Sequence, residues 1–408
     1  MAAVEAAREV STLKDFYDLM HETAVIRRGI VKALIESQPV ATSSLEGLRR
    51  SRRALASISR SGEQYRLVLD STNHIDVDLS YEIGELDKDI LYVEKGEPGL
   101  IQHLDNLHDD FEQQVSKVVG LLSGMHFNAF ITDRDGTINN YCGRYGSSIQ
   151  SAYNAVFVSR FSASRVRHPI VLTSAPIRDV GLIDVSVSPP GIFIHAASKG
   201  REFIDMHDRW HSFPIDDEKR ALIESLEARL RELVSQPGYQ KFSLIGSGFQ
   251  VKFGQITLAR QDISSSIEPD ESKALLHRVS EEIAAVDPEG KHFRIEDTGL
   301  DIEVILTISR TGNDELKDFD KGDGVRYVAG AIGLDMRRGP HLVCGDTSSD
   351  VPMLQAAMDA SPNDTYAVFV TRKESLAARI EETCPKSVIV EEPDVLVTAL
   401  NCLSSSLK

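Results

Sequence analysis

The stretch Phe127-Asn128-Ala129-Phe130-Ile131-Thr132-Asp133-Arg134-Asp135-Gly136-Thr137 decides the fold. Its first six residues read as a strand whose apolar character is continuous rather than alternating, the mark of a strand buried on both faces. Two carboxylates and a glycine follow at once. Runs of the same kind recur at Pro169–Leu172, Gly191–Ala196, His341–Cys344, Tyr366–Thr371 and Ser387–Val390, separated by segments with helical spacing. Short buried strands alternating with helices predict an α/β fold, a parallel sheet covered by helices. In such sheets ligands bind outside the carboxyl ends of the strands, where Asp133 and Asp135 stand.

The residue types at those ends suit phosphorus chemistry. In Asp-x-Asp the first carboxylate can attack phosphorus and form an aspartyl phosphate, while the second protonates the leaving oxygen and later activates water. Gly345-Asp346-Thr347-Ser348-Ser349-Asp350 follows the run ending at Cys344 and leads into a helix with Pro352 near its first turn. Magnesium takes hard oxygen ligands, usually one or two carboxylates with water and substrate phosphate, and Asp346 with Asp133 meets that need. Asp350 has two readings, a helix cap or a holder of metal-bound water. Thr173, with Ser174 beside it, ends the run Ile170–Leu172 and offers a hydroxyl to a phosphate at the same edge. Lys321, before the helix-like Val325–Ile332, supplies a cation for phosphate and nucleophile.

Taken in order, Asp-x-Asp-Gly-Thr, Thr, Lys-Gly and Gly-Asp-x-x-x-Asp resemble the motifs of the haloacid dehalogenase superfamily of phosphatases over about residues 124 to 403. The resemblance implies a Rossmann-like core, Mg²⁺ and phosphoaspartyl chemistry. By it Asp133 is nucleophile and metal ligand, Asp135 acid/base and a metal ligand through its carbonyl. Thr173 and Lys321 bind the phosphoryl group, and Asp346 and Asp350 hold Mg²⁺.

Gap lengths place an inserted cap. The interval from Thr137 to Thr173 holds no more than a short flap, whereas 148 positions separate Thr173 from Lys321. That second interval reads as a helix from Asp216, a hairpin of Phe242–Ile245 with Gln250–Leu258, a helix over Pro269 to Val286, and strands Phe293–Ile295 and Ile302–Ile308. This order is similar to the cap of the trehalose-6-phosphate phosphatase branch, and Ala197 to Glu202 is similar to a Ser-His-Gly stretch there. Two stretches depart from that branch, Val351-Pro352-Met353-Leu354 after the metal motif and Thr173-Ser174-Ala175 where Ser/Thr-Gly-Arg is usual. The likeness implies a sugar phosphate as substrate, trehalose 6-phosphate first and sucrose phosphate or a related disaccharide phosphate next. A cap of about 100 residues that closes over the sheet edge fits a molecule of that size and excludes bulk protein. Candidate sugar contacts are Ser174, Lys199 and Arg201 on the core, and Lys252, Arg260 and Glu303 on the cap strands.

Upstream, apolar residues recur at helical spacing from Leu13 to about Leu122, and glycine and proline are sparse, which predicts an all-helical N-terminal unit. It reads as a brace on the catalytic part or as a module for self-association. The expected boundaries are residues 1–122 for this unit, 123–212 with 318–408 for the core and 213–317 for the cap. Forty-five Lys and Arg against 62 Asp and Glu give a charge of −17, which opposes nucleic-acid binding because phosphate contacts need a cationic surplus. The cysteines at 142, 344, 384 and 402 show no zinc spacing. No stretch has the length of a membrane span, and Glu5 and Glu9 interrupt any signal-peptide core, so a cytoplasmic location is expected. The alternative to an enzyme is a regulatory scaffold that keeps the fold alone.

Overall fold

Alternation of burial along the chain builds the structure outward from the central strand. A computed structural model describes residues 9–69, 73–310, 313–317 and 319–405. The N-terminal region runs α1 (Leu13–Ile35), α2 (Thr42–Ala56), β1 (Arg60–Ser61), β2 (Gln64–Val68), β3 (His74–Val77), α3 (Ser80–Leu107) and α4 (Phe111–Leu122). It is mostly helical, as its apolar stripes predict, with Phe16, Leu19, Met20, Ile30 and Val31 of α1 buried. It departs from the all-helical expectation in one place, an antiparallel sheet of order β1-β2-β3. Gly62, at φ +64°, turns the first hairpin, and Tyr65, Leu67, Ile75 and Val77 alternate inward, a period of two rather than 3.6.

The core follows as β4 (Phe127–Thr132), α5 (Ala152–Arg165), β5 (Val166–Leu172), α6 (Leu182–Val185), β6 (Ile194–Ala197), β7 (Glu202–Ile204) and β8 (Trp210–Ser212). The cap elements come next: α7 (Asp217–Ser235), β9 (Phe249–Lys252), β10 (Gln255–Ala259), α8 (Pro269–Val286), β11 (Phe293–Asp297) and β12 (Asp301–Leu306). A hairpin of β13 (Ile308–Arg310) and β14 (Asn313–Lys317) leads back to the core. There α9 (Lys321–Ile332), β15 (His341–Gly345), α10 (Val351–Ala360), β16 (Thr365–Val370), α11 (Glu374–Thr383), β17 (Ser387–Val390) and α12 (Pro393–Ser405) complete the chain.

The large sheet has the order β17-β16-β15-β4-β5-β6-β7-β8, parallel from β17 to β6 and antiparallel at β6-β7-β8. Both faces of β4 are buried, which is why its sequence does not alternate. Ala129 and Ile131 pack with residues of α9, α10 and α11, while Phe127 and Phe130 meet Phe161 of α5 on the other side. That second layer merges with the N-terminal helices in a single apolar cluster. The chain leaves β4 toward β5 on one side and returns beside β4 as β15 on the other, so the strand order reverses between them. The loops after β4 and β15 part at that switch point and open a crevice.

The cap sheet has the order β11-β12-β10-β9. Ile256, Leu258, Ile302 and Val304 face α7 and α8, packing with Ile223, Leu226, Leu230, Leu275 and Val279. Phe242 to Ile245 does not form the expected strand. Gln240–Ser243 is a 3₁₀ turn, and Phe242 and Ile245 are buried three residues apart, the spacing that such a turn superimposes.

Candidate active site

The strand ends bring four charged groups together. Asp133 follows β4, Asp346 and Asp350 follow β15, and Lys321 opens α9. Lys321 Nζ donates to Asp133 Oδ1 at 2.5 Å and to Asp350 Oδ1 at 2.6 Å, with all three side chains buried. Carboxylate oxygens of Asp133, Asp346 and Asp350 lie within 4.8 Å of one another. Asp350 Oδ2 accepts from the backbone amides of Asp346 (3.0 Å) and Thr347 (2.9 Å) and from Thr347 Oγ1 (3.0 Å). Its carboxylate thus orders the loop that carries Asp346 rather than capping α10.

Two buried carboxylates, Asp133 and Asp350, and the half-buried Asp346 against one ammonium leave an excess of negative charge. Burial pushes the Asp133 carboxyl up to about 7, against the pull of Lys321. Asp346 is pushed up to about 9 by burial and by the charges of Asp133 and Asp350. Asp350 goes the other way: Lys321 and the loop amides overcome its burial and hold it below the usual carboxylate range. Burial would lower the Lys321 ammonium, yet its two carboxylate partners hold it above its ordinary value. An all-oxygen donor set with uncompensated negative charge is the environment that a hard divalent cation relieves.

Glycine is required at Gly136, where φ is +85° and a Cβ would lie 2.2 Å from Asp346 Oδ2. Thr137 Oγ1 donates to Asp346 Oδ1 at 3.2 Å. The Asp135 carboxylate has partners of its own. Its Oδ1 accepts from Ser148 Oγ at 2.7 Å and from the buried guanidinium of Arg134, which also reaches the Ser148 carbonyl. The two aspartates of the motif therefore occupy different surroundings. Arg134 and Ser148 were not legible in the sequence. Arg134 lies between the two carboxylates that the motif marks, and Ser148 comes from a loop with no periodic pattern.

Thr173 is buried at the end of β5, its Oγ1 accepting from the Ala175 amide at 3.3 Å, and Ser174 beside it is half-buried. The Lys199 amide donates to the Thr173 carbonyl at 2.9 Å, and Lys199 holds a left-handed backbone at φ +62°. This turn seats on α9, where a Cβ at Gly324 would lie 2.0 Å from the Lys199 carbonyl.

The cap contributes one face of its sheet. Cross-strand pairs Gln255–Lys252 and Thr257–Gln250, with Thr257–Glu303 and Ala259–Asp301, put these side chains on the face away from α7 and α8. Gln250, Lys252, Gln255 and Thr257 are all buried. Burial lowers the Lys252 pKa, with Glu303 and Asp301 opposing and Lys199 adding to the fall, so these four charges sense one another across the core–cap junction. Lys252, Glu303 and Lys199 of the expected contacts are thereby brought together. Gln250, Thr257 and Asp301 join them without having been singled out, although the alternation of the two strands marks them.

Two expected contacts are engaged elsewhere. Arg201 is buried and donates to the carbonyls of Gly254 (2.8 Å) and Leu306 (3.0 Å), its guanidinium 5.0 Å from the Phe319 ring centroid. It fastens the cap to the core instead of facing the crevice. Arg260 falls one residue beyond Ala259 and so on the opposite face, bonded to Ser272 of α8 (3.0 Å) and Asp297 (2.8 Å).

A parallel sheet with Asp-x-Asp-Gly-Thr at its switch point and an α+β cap between β8 and α9 defines the haloacid dehalogenase class of fold. Within it, the chain belongs to the trehalose-6-phosphate phosphatase family. The family's C-terminal model matches residues 130–396, and its N-terminal helical bundle domain matches residues 12–111. Alpha,alpha-trehalose-phosphate synthase [UDP-forming] 2 of Aphelenchoides avenae is 32% identical over 413 residues, covering 95% of this chain and 31% of that protein. The trehalose-phosphatase of Brugia malayi is 29% identical over 427 residues, covering 96% of this chain and 86% of that protein. The chain spans about a third of the length of the synthase relatives it matches. Among solved structures, trehalose-6-phosphate phosphatase of Aspergillus fumigatus shares 14% identity at a TM-score of 0.41, covering 73% of this chain and 98% of that one. Asp133, Asp346 and Asp350 form an acidic triad whose oxygens are placed to hold a metal ion. Among the described residues no helix is long and apolar enough to cross a membrane.

Proposed function

We propose that this chain is a Mg²⁺-dependent phosphatase that converts trehalose 6-phosphate to trehalose and inorganic phosphate. The observation that carries the reading is Asp133, buried at the end of the central strand, 2.5 Å from Lys321 and grouped with Asp346 and Asp350. Asp133 attacks phosphorus as the bond to the sugar oxygen breaks, and Asp135 gives that oxygen its proton. Asp135 then takes a proton from the water that attacks phosphorus, and the Asp133–phosphorus bond breaks to release phosphate. Lys321 and the Thr173 hydroxyl bind the transferring group, Lys321 also neutralising the nucleophile. Asp133, Asp346 and Asp350, with the Asp135 carbonyl, would hold Mg²⁺, which supplies charge to the phosphoryl oxygens when bound.

Sugar recognition falls to Lys199, Ser174, Lys252 and Glu303, joined by Gln250 and Thr257. A buried polar face aimed at the crevice supports this assignment, because such groups need hydroxyl partners when water is excluded. The test is phosphate release from trehalose 6-phosphate, sucrose 6-phosphate, glucose 6-phosphate and a phosphopeptide. Trehalose 6-phosphate should give the highest kcat/KM, EDTA should abolish turnover, and Asp133→Asn should lower it about 10³-fold or more. Preference for the phosphopeptide overturns the sugar reading, and full activity of Asp133→Asn overturns the mechanism.

A further inference from the structure

The catalytic motif is followed by a loop, residues 138–148, which the core holds on one side: Arg134 binds the Ser148 hydroxyl and carbonyl, Asn154 donates to the Ile138 carbonyl and Asn140 Nδ2 donates to Asp394. On its other side the loop meets α3 of the N-terminal region. Tyr81, Glu82, Glu85, Lys88 and Asp89 lie along one side of that helix at spacings of one, four, seven and eight, and the four charged ones are buried. Burying charges on a helix is costly unless each finds a partner: Glu82 pairs with Arg144 and Lys88 with Asp394 of the core, Glu85 pairs with Lys88, and Asp89 pairs with Arg27 of α1 at 2.6 Å.

The Tyr81 hydroxyl accepts from Asn139 Nδ2 at 3.0 Å and donates to the Ile149 carbonyl at 3.0 Å, so one oxygen ties both ends of the loop. Glu82 Oε1 accepts from Ser147 Oγ at 2.6 Å and from Arg144 at 3.0 Å, with the Cys142 thiol at 3.6 Å. Glu85 Oε1 accepts from Asn140 Nδ2 at 2.8 Å and from Lys88, which also pairs with Asp394 of α12 at 2.7 Å. Asp89 accepts from the amides of Ala152 and Tyr153, the start of α5. At the end of the loop, Ser148 Oγ donates to Asp135 and lies 3.3 Å from Asn139 Nδ2.

We propose that α3 is a positioning element of the active site: Tyr81, Glu82 and Glu85 fix the 138–148 loop and, through Ser148, the carboxylate of Asp135. The functional part of this statement rests on the reading of Asp135 as acid and base. The bundle then completes the catalytic centre without touching substrate. Misplacing a catalytic group by about 1 Å can cost about 10²-fold in rate.

The experiment uses the full chain with Tyr81→Phe, which deletes one oxygen, and Glu82→Gln, which keeps shape. Asp87→Asn serves as control, because Asp87 faces Arg52 on the outer side of α3. Hydrogen exchange of residues 138–148 should quicken about tenfold in the first two variants, with α1, α2 and the cap unchanged. In the same variants kcat on trehalose 6-phosphate should fall about tenfold or more, with KM within twofold of the parent, and the control should match the parent. Unchanged exchange in the loop overturns the proposal, as does quickened exchange with kcat unaltered. A bundle that merely stabilises would lower the melting temperature and speed exchange throughout α1–α4 without that kcat loss. If the parent chain releases no phosphate, the function reading fails, and loop exchange alone decides whether α3 holds the loop.

Discussion

At Gly136 the oxygen of Asp346 occupies the space in which any other residue would carry its Cβ. Gly136→Ala should therefore displace Asp346 and also strain a backbone at φ +85°. We expect Mg²⁺ affinity to drop about tenfold or more, with phosphate release falling in parallel, checked by cation titration of the melting temperature. A second expectation concerns pH. Asp133 and Asp346 have carboxyls raised to about 7 and about 9, above their unfolded value. A raised carboxyl stabilises the fold while protonated, so in EDTA stability should fall as pH climbs from about 4, the unfolded value, through about 7 for Asp133 and about 9 for Asp346. Cation and protons compete for the same oxygens, so the rise in melting temperature on adding Mg²⁺ should be larger at pH 8 than at pH 6. A cation effect independent of pH would contradict these shifts. Asp133, Thr173 and Asp346 were legible because each follows an apolar run, and a strand end is a position that sequence can mark, whereas Lys321 stood out by its place in the order of motifs, ahead of the helix-like Val325–Ile332. Tyr81 was not legible, since its partners Asn139 and Ile149 lie 58 and 68 positions away, and only folding sets those distances.

Between residues and the whole lie the two strands and one arginine that set the cap. Arg201 satisfies carbonyls at the start of β10 and the end of β12, so it grips both cap strands from the core side. Arg201→Met keeps the bulk but removes the donor to the Leu306 carbonyl and leaves the Gly254 carbonyl with only the Leu306 amide, which should cost about 1–3 kcal/mol. Hydrogen exchange in β10 and β12 should report it as faster opening of the cap, whereas unchanged exchange would show that the clamp is redundant. The cap elements themselves were mostly readable, since α8 spans Pro269–Val286 as its stripe and its proline at the first turn indicate. What spacing misjudged was period. Phe242 and Ile245 satisfy a three-residue turn, and Gln64–Val68 alternates within a region otherwise dominated by helical stripes. Arg260 fails as a sugar contact for the same reason, one residue past a register that sequence alone does not fix.

Over the entire molecule, the N-terminal helices share an apolar cluster with α5 and α12, and their buried charges meet the loop after the catalytic motif. Sequence suggested a brace on the catalytic part or a module for self-association, neither of them a part of the chemistry. The contacts of α3 change that expectation: deleting the segment before Gly124 should lower the melting temperature, expose apolar surface that light scattering detects as aggregation, and reduce kcat about tenfold or more. A truncated chain equally stable and active would contradict it. The order of strands in the large sheet bears on how the protein is made. Ala129 of β4 pairs with His341 of β15, which leaves the ribosome 212 positions later. At about 5–20 residues per second, the strand that carries Asp133 waits roughly 10–40 s with one edge unpaired. During that interval the whole cap has emerged and can fold on local contacts. The nascent chain therefore completes its lid before its catalytic floor, and slowing synthesis within the cap would lengthen the exposure of an apolar edge that chaperones recognise.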